Sequence, residues 1–192
     1  MRLCLLPALL LALLGAACAG PPEELLLIPA AVKGASTVTA VDISVRGPAR
    51  AMVAALDERL RTRRTPPAGA TPDKGDYDAL PFDRMTALVI ADAARKAGLT
   101  SGRQLRLRVE IDMLKIPNAA AALVGSDDRL AGSVFIRDAA TDEALGQLYI
   151  DITGPHDGLI GLATRGGIRE QLAERFAAHI VKALAGKSPQ PR

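Results

Sequence analysis

Hydrophobic and polar residues alternate most strictly in one stretch of the chain. Leu105, Leu107, Val109, Ile111 and Met113 fall on one side, and Arg106, Arg108, Glu110 and Asp112 on the other. A period of two is the signature of a strand with one dry and one wet face. Val41, Ile43 and Val45 alternate with Asp42, Ser44 and Arg46 in the same way, in a strand that starts near Val38 and stops at Gly47-Pro48. Two more strands follow the central one, Leu130–Arg137 and Leu145–Thr153, with a turn over Asp138–Ala144 between them. Short connections of this kind predict an antiparallel meander.

Elsewhere the period lengthens to that of a helix. Met52, Val53, Leu56 and Leu60 form one stripe after Pro48, a residue suited to a first turn. Met85, Leu88, Val89 and Ala93 form a second, with Gly98 placed to cap it. Ile168, Leu172, Phe176, Ile180 and Leu184 form a third, over 168–184. The predicted order is β-α-α-β-β-β-α. A sheet dry on one side needs a cover, and amphipathic helices provide it, so the fold class is α+β, a two-layer sandwich on a mostly antiparallel sheet. The first strand is expected beside the first or last strand of the meander. The chain shows no internal repeat.

The ends read differently. Arg2, the apolar run Leu3–Leu14 and the small residues Gly15, Ala16 and Ala17 have the layout of a secretory signal over residues 1–17. The run is too short to cross a hydrocarbon core of about 30 Å, which takes roughly 20 residues. Residues 18–36 carry Pro21, Pro22, Pro29 and Gly34 and read as a tether. Within them Leu25–Ile28 either docks on the domain or lies against a membrane. A single domain then spans 37–186, interrupted at 65–77 by an exposed Pro- and Gly-rich loop, and residues 187–192 form a disordered tail.

Composition narrows the function. Hydrophobic residues are 49% of the chain and support a real core, but aromatics are 3% and Trp is absent. That is poor material for a stacking platform. A formal charge of +3 from 24 basic and 21 acidic residues is no nucleic-acid footprint. The cluster Arg59, Arg61, Arg63 and Arg64 ends a helix, where it complements the macrodipole or offers a phosphate or headgroup patch.

Candidate chemistry is sparse. Ser126, His156 and Asp157 or Asp127 could be assembled into a hydrolase set, but Gly125-Ser126-Asp127 lacks the strained Gly-x-Ser-x-Gly elbow. His179 falls beside the apolar Ile180 and reads as a boundary residue. Asp127, Asp128, Asp138 and Asp142 lack calcium-loop spacing and suit turns instead. One mature cysteine and two separated histidines cannot build a zinc site in a monomer. No catalytic residue, metal or cofactor is expected. Two Gly- and Ala-rich apolar loops, Ala119–Val124 and Leu159–Ala163, either touch a partner or plug the ends of the sandwich.

Leu14-Gly15-Ala16-Ala17-Cys18 resembles the bacterial lipobox, with Gly15 where the commonest members carry Leu. The resemblance implies a cut before Cys18 and acylation of that residue. Cys18 would then be the sole cysteine of the mature chain, and lipidation gives a use to a thiol that has no disulfide partner. The alternative is a cut after Ala19 that releases a soluble periplasmic protein. Ala19 following the cysteine implies the outer membrane. The leader, the tether and the segment Asp127–Ala139 are similar to bacterial envelope lipoproteins of unknown function. That resemblance implies a periplasmic, non-enzymatic binding or assembly module. Its partners would be membrane lipid, through the Cys18 acyl chains, and another envelope protein. Service as an auxiliary of an envelope lipid or solute transport system is the alternative.

Overall fold

A computed structural model describes residues 28–62, 80–116, 127–153 and 168–186. The leader with Cys18, the loop 65–77, the apolar loops 119–124 and 159–163, the tail 187–192, and Ser126, His156 and Asp157 lie outside these residues. So do Arg63 and Arg64.

The order is β1 (Ser36–Val45), α1 (Gly47–Thr62), α2 (Phe82–Lys96), β2 (Arg103–Lys115), β3 (Arg129–Asp138), β4 (Ala144–Thr153) and α3 (Ile168–Leu184). The expected β-α-α-β-β-β-α succession and α+β class hold. One sheet runs β1-β2-β3-β4, with β2, β3 and β4 antiparallel in sequence. β1 joins the first strand of the meander and runs parallel to it. A parallel neighbour requires a crossover, which α1 and α2 supply.

Burial follows the alternation. Leu105, Leu107, Val109 and Ile111 of β2, Leu130, Val134 and Ile136 of β3, and Leu148, Ile150 and Ile152 of β4 are buried in one core. The same core takes Ala49 and Val53 of α1, Phe82, Met85, Val89 and Ile90 of α2, and Leu172, Phe176 and Ile180 of α3. α2 packs on β1 and α3, and α3 reaches β3 and β4. Each large side chain withdrawn from water here contributes about 1.5–3 kcal/mol.

Two expected facings change. The β2–β3 register slips between Ile111 and Met113, so Leu114, not Met113, is the next buried residue of β2. An extra residue on one strand reverses the facing of everything beyond it. On α2, Leu88 is the exposed large hydrophobic, while Phe82 and Ile90 are fully buried. The stripe that meets α3 and β1 is centred on Met85, Val89 and Phe82, and Leu88 lies beside it.

The helix ends are tied to neighbouring elements. Asp57 of α1 accepts the Phe82 N–H at 3.0 Å, satisfying an otherwise orphaned donor at the start of α2. α2 ends at Gly98 as expected. Its φ is 78°, Gly98 N–H donates to the Arg95 carbonyl, and Leu99 N–H reaches Ala94. This is the paired-bond glycine cap, with buried Leu99 as its apolar contact. Arg169 is buried at the start of α3 and donates to the Leu80 carbonyl at 2.9 Å, linking the starts of α3 and α2. Ahead of β1 the chain is docked: Ile28 and Val32 are buried in the core around a short 3-10 turn, Ala30–Val32. Gly34 N–H donates to the Leu184 carbonyl at 2.9 Å, at the end of α3.

The β3–β4 turn is organised by Asp138. Its carboxylate accepts the N–H groups of Ala140 and Thr141 and pairs with Arg103 at 2.8 Å. The Arg103 guanidinium, helped by those amides, holds the carboxyl down at about 2 instead of 3.8.

Gly132 sits in β3 opposite Ile111, where the register slips. A Cβ there would stand 2.4 Å from the Glu110 carbonyl oxygen, a backbone atom that cannot swing away. Gly132→Ala is therefore expected to cost about 2 kcal/mol or more, read as a lower urea midpoint at unchanged slope. A second expectation concerns acid. A carboxyl whose folded pKa lies below its unfolded one stabilises fully above the unfolded value and loses that contribution as pH falls through the folded value. Wild type should lose stability between pH 4 and 2 more steeply than Asp138→Asn, which starts less stable at pH 7. Unfolding curves across that window measure the difference.

Candidate binding face

The register places the polar half of every strand on one face, which the described helices leave uncovered. Asp42, Arg108, Phe135 and Gln147 form one row across the four strands, and Ser44, Glu110, Ser133 and Tyr149 form the next. Arg106 and Arg137 stand in the row before these, directly opposite each other. Arg129 lies at the far end, bound to Asp151. Phe135 and Tyr149, two of the chain's few aromatics, are half-buried on this side.

Ion pairs knit the face. Arg106 Nε meets Asp42 at 2.9 Å, diagonally, since Asp42 stands opposite Arg108. Arg137 Nε donates to Asp142 at 2.7 Å, and its Nη2 to the carbonyl of the same residue. Glu110 is nearly out of reach of water, at 8% side-chain exposure. It is held by Arg46 at 2.5 Å and by Arg108 at 3.3 Å. A carboxylate that buried on a solvent face is costly unless it is paired, and here two guanidinium groups pair with it. Burial pushes the Tyr149 phenol above its usual range, and the carboxylates of Asp151 and Asp112 push it the same way.

An open depression of about 420 Å³ lies toward one end of the face. Its walls include Asp42, Ser44, Arg106, Arg108, Arg137 and Asp142. Residues distant in sequence meet here because the register aligns them.

The aspartates considered as cation ligands are not brought together. Asp127 and Asp128 precede β3, whereas Asp138 and Asp142 belong to the turn at its other end. Asp138 and Asp142 are engaged by Arg103 and Arg137. Among the described residues no group of three or more His, Cys, Asp or Glu could hold a metal ion. His179 is half-buried on α3 between exposed Ala178 and buried Ile180, as a boundary residue should be. Arg59 is exposed on α1. No described helix is long and apolar enough to cross a membrane.

Reading the sequence for familiar catalytic sets passes over this face. Its signal was present as the wet half of each period-2 pattern, Arg106, Arg108 and Arg137 included. What alternation lacks is the register that brings Arg137 to Arg106.

Comparison with protein-family models and with curated proteins gave no match. Solved structures do match. Two crystal forms of the PelC dodecamer from Paraburkholderia phytofirmans are similar, with TM-scores of 0.50 and 0.49 and 11% identity. The first covers 85% of this chain and 97% of that chain, the second 88% and 99%. A Xanthomonas campestris protein described under DUF330 has a TM-score of 0.43 and 12% identity over 57% of this chain and 65% of its own. At 11% identity the likeness to PelC is one of fold.

Proposed function

We propose that this chain is a membrane-tethered lipoprotein of the bacterial periplasm that works without catalysis or cofactor, as a binding and assembly module of the cell envelope. The observation that carries this reading is the uncovered sheet face. It is a mosaic of interspersed guanidinium and carboxylate groups with two half-buried aromatics among them. Charges of both signs arranged in this way discriminate between partners more than they add raw affinity. The lipobox-like Leu14–Cys18 segment supports the tether, on the outer membrane given Ala19.

The occupant of the face is another copy of this chain. Two arguments support that choice. A chain of the same fold forms a dodecamer, and a surface that intersperses both signs can meet itself across a symmetry axis. Phe82, Met85, Ile90, Leu172, Phe176 and Ile180 are fully buried between sheet and helices, which favours a binding surface over an interior lipid site among the described residues.

Two measurements test the proposal in cells. Cys18→Ser should move the protein from the membrane to the soluble periplasmic fraction and abolish labelling by radioactive palmitate. A photo-crosslinking residue at Gln147, exposed on the open face, should yield an adduct of twice the chain's mass, while one at Leu88, on α2, should not. An unlabelled protein beginning after Ala19 would overturn the tether. Adducts only at Leu88, or at neither position, would overturn the docking face.

A further inference from the structure

The pair Arg106 and Arg137 is unusual for its position. Directly opposed residues on neighbouring strands have Cβ atoms about 4.5–5.5 Å apart, and like charges placed there destabilise the sheet. Arg108 adds a third cation, two residues along β2 on the same face. Three guanidinium groups thus wall one depression of about 420 Å³.

The carboxylates beside them only partly relieve this. The Asp42 carboxylate takes the Nε edge of Arg106, and the Asp142 carboxylate takes Nε of Arg137, whose Nη2 donates to the Asp142 backbone carbonyl. Both carboxylates are well over half exposed, at 59% and 64%, where an ion pair is weak and exchangeable. Arg108 has only a 3.3 Å contact with Glu110, whose carboxylate is already taken by Arg46 at 2.5 Å. A guanidinium carries five N–H donors. Among the described residues most of the donors on these three are unspent. Ser44 in the same wall gives its hydroxyl hydrogen to the Val109 carbonyl at 3.3 Å, leaving the site to the arginines.

A ligand that suits this arrangement has to bring negative charge, several acceptor oxygens and a tetrahedral shape able to bridge donors from two strands. We infer that the depression binds a phosphate group, free or esterified as in a phospholipid headgroup. Planar forks of N–H donors match phosphate oxygens in pairs. The anion placed between Arg106 and Arg137 removes the repulsion that their register imposes. Binding should therefore stabilise the sheet as well as fill the site. The inference rests on the open face being a binding surface, but its test needs no second protein, so it can fail while the crosslinking result stands.

The test uses the full mature chain in neutral detergent, with thermal unfolding followed by circular dichroism at constant ionic strength. Inorganic phosphate is one probe and glycerophosphoglycerol, a soluble phosphodiester headgroup, the other. A ligand that binds only the folded state raises Tm saturably. Arg106→Gln and Arg137→Gln should each weaken the response about tenfold, the loss of one charge-assisted contact. Arg95→Gln, the same charge change on α2 away from the face, should respond as wild type. Arg108→Gln serves if either of the first two fails to fold. Tighter binding of the headgroup assigns the site to lipid, and equal or tighter binding of inorganic phosphate assigns it to the free anion. The inference is overturned if neither probe raises Tm beyond a sodium chloride control, or if the face variants respond as wild type does.

Discussion

Four paired strands have two faces, and the described helices join a single core with only one of them. That asymmetry sets everything else. Side chains on the dry face are withdrawn from water among α1, α2 and α3, each worth about 1.5–3 kcal/mol. Exposed ion pairs on the other face are worth roughly 0–1 kcal/mol apiece. Stability therefore resides on the dry side. The wet side can carry a costly arrangement, such as Arg106 against Arg137, without endangering the fold.

Within the wet face, Glu110 is the exception to cheap exposure. It is shielded from solvent and paired with both Arg46 and Arg108. Arg46 lies just past β1, whose pairing with β2 continues through the Arg46 N–H to the Ile111 carbonyl at 2.8 Å. The same residue thus extends the parallel pair with its backbone and neutralises the central carboxylate with its side chain. Fold and surface chemistry are joined at that point.

Much of this was legible in the chain. The alternation in Leu105–Ile111 and the four-residue stripe in Ile168–Leu184 each have one physical reading, and the structure follows both. The failures were local. A one-residue slip in β2 exchanges Met113 for Leu114, and no hydropathy pattern announces a bulge whose cause is the pairing with Gly132 and Ala131. Leu88 was exchanged for Ile90 because which side of a helix is dry depends on what it meets, here α3 and β1. Arg169, a charged residue buried at the start of α3, is held by the Leu80 carbonyl, a partner distant in sequence. The face was half legible: its members could be named, but their neighbours across strands could not, because register is a property of pairs.

The docked segment before β1 has a mechanical consequence. Ile28 and Val32 sit in the core, and Gly34 is fastened to the last carbonyl of α3. Any pull arriving from residues nearer the N-terminus must first dislodge these anchors before it loads β1. Past them, tension would run along β1, parallel to β2, and would shear the bonds of that ladder together instead of peeling them one by one. The fold thus places a clamp in front of the β1–β2 ladder, so that the docked segment would yield before the sheet does.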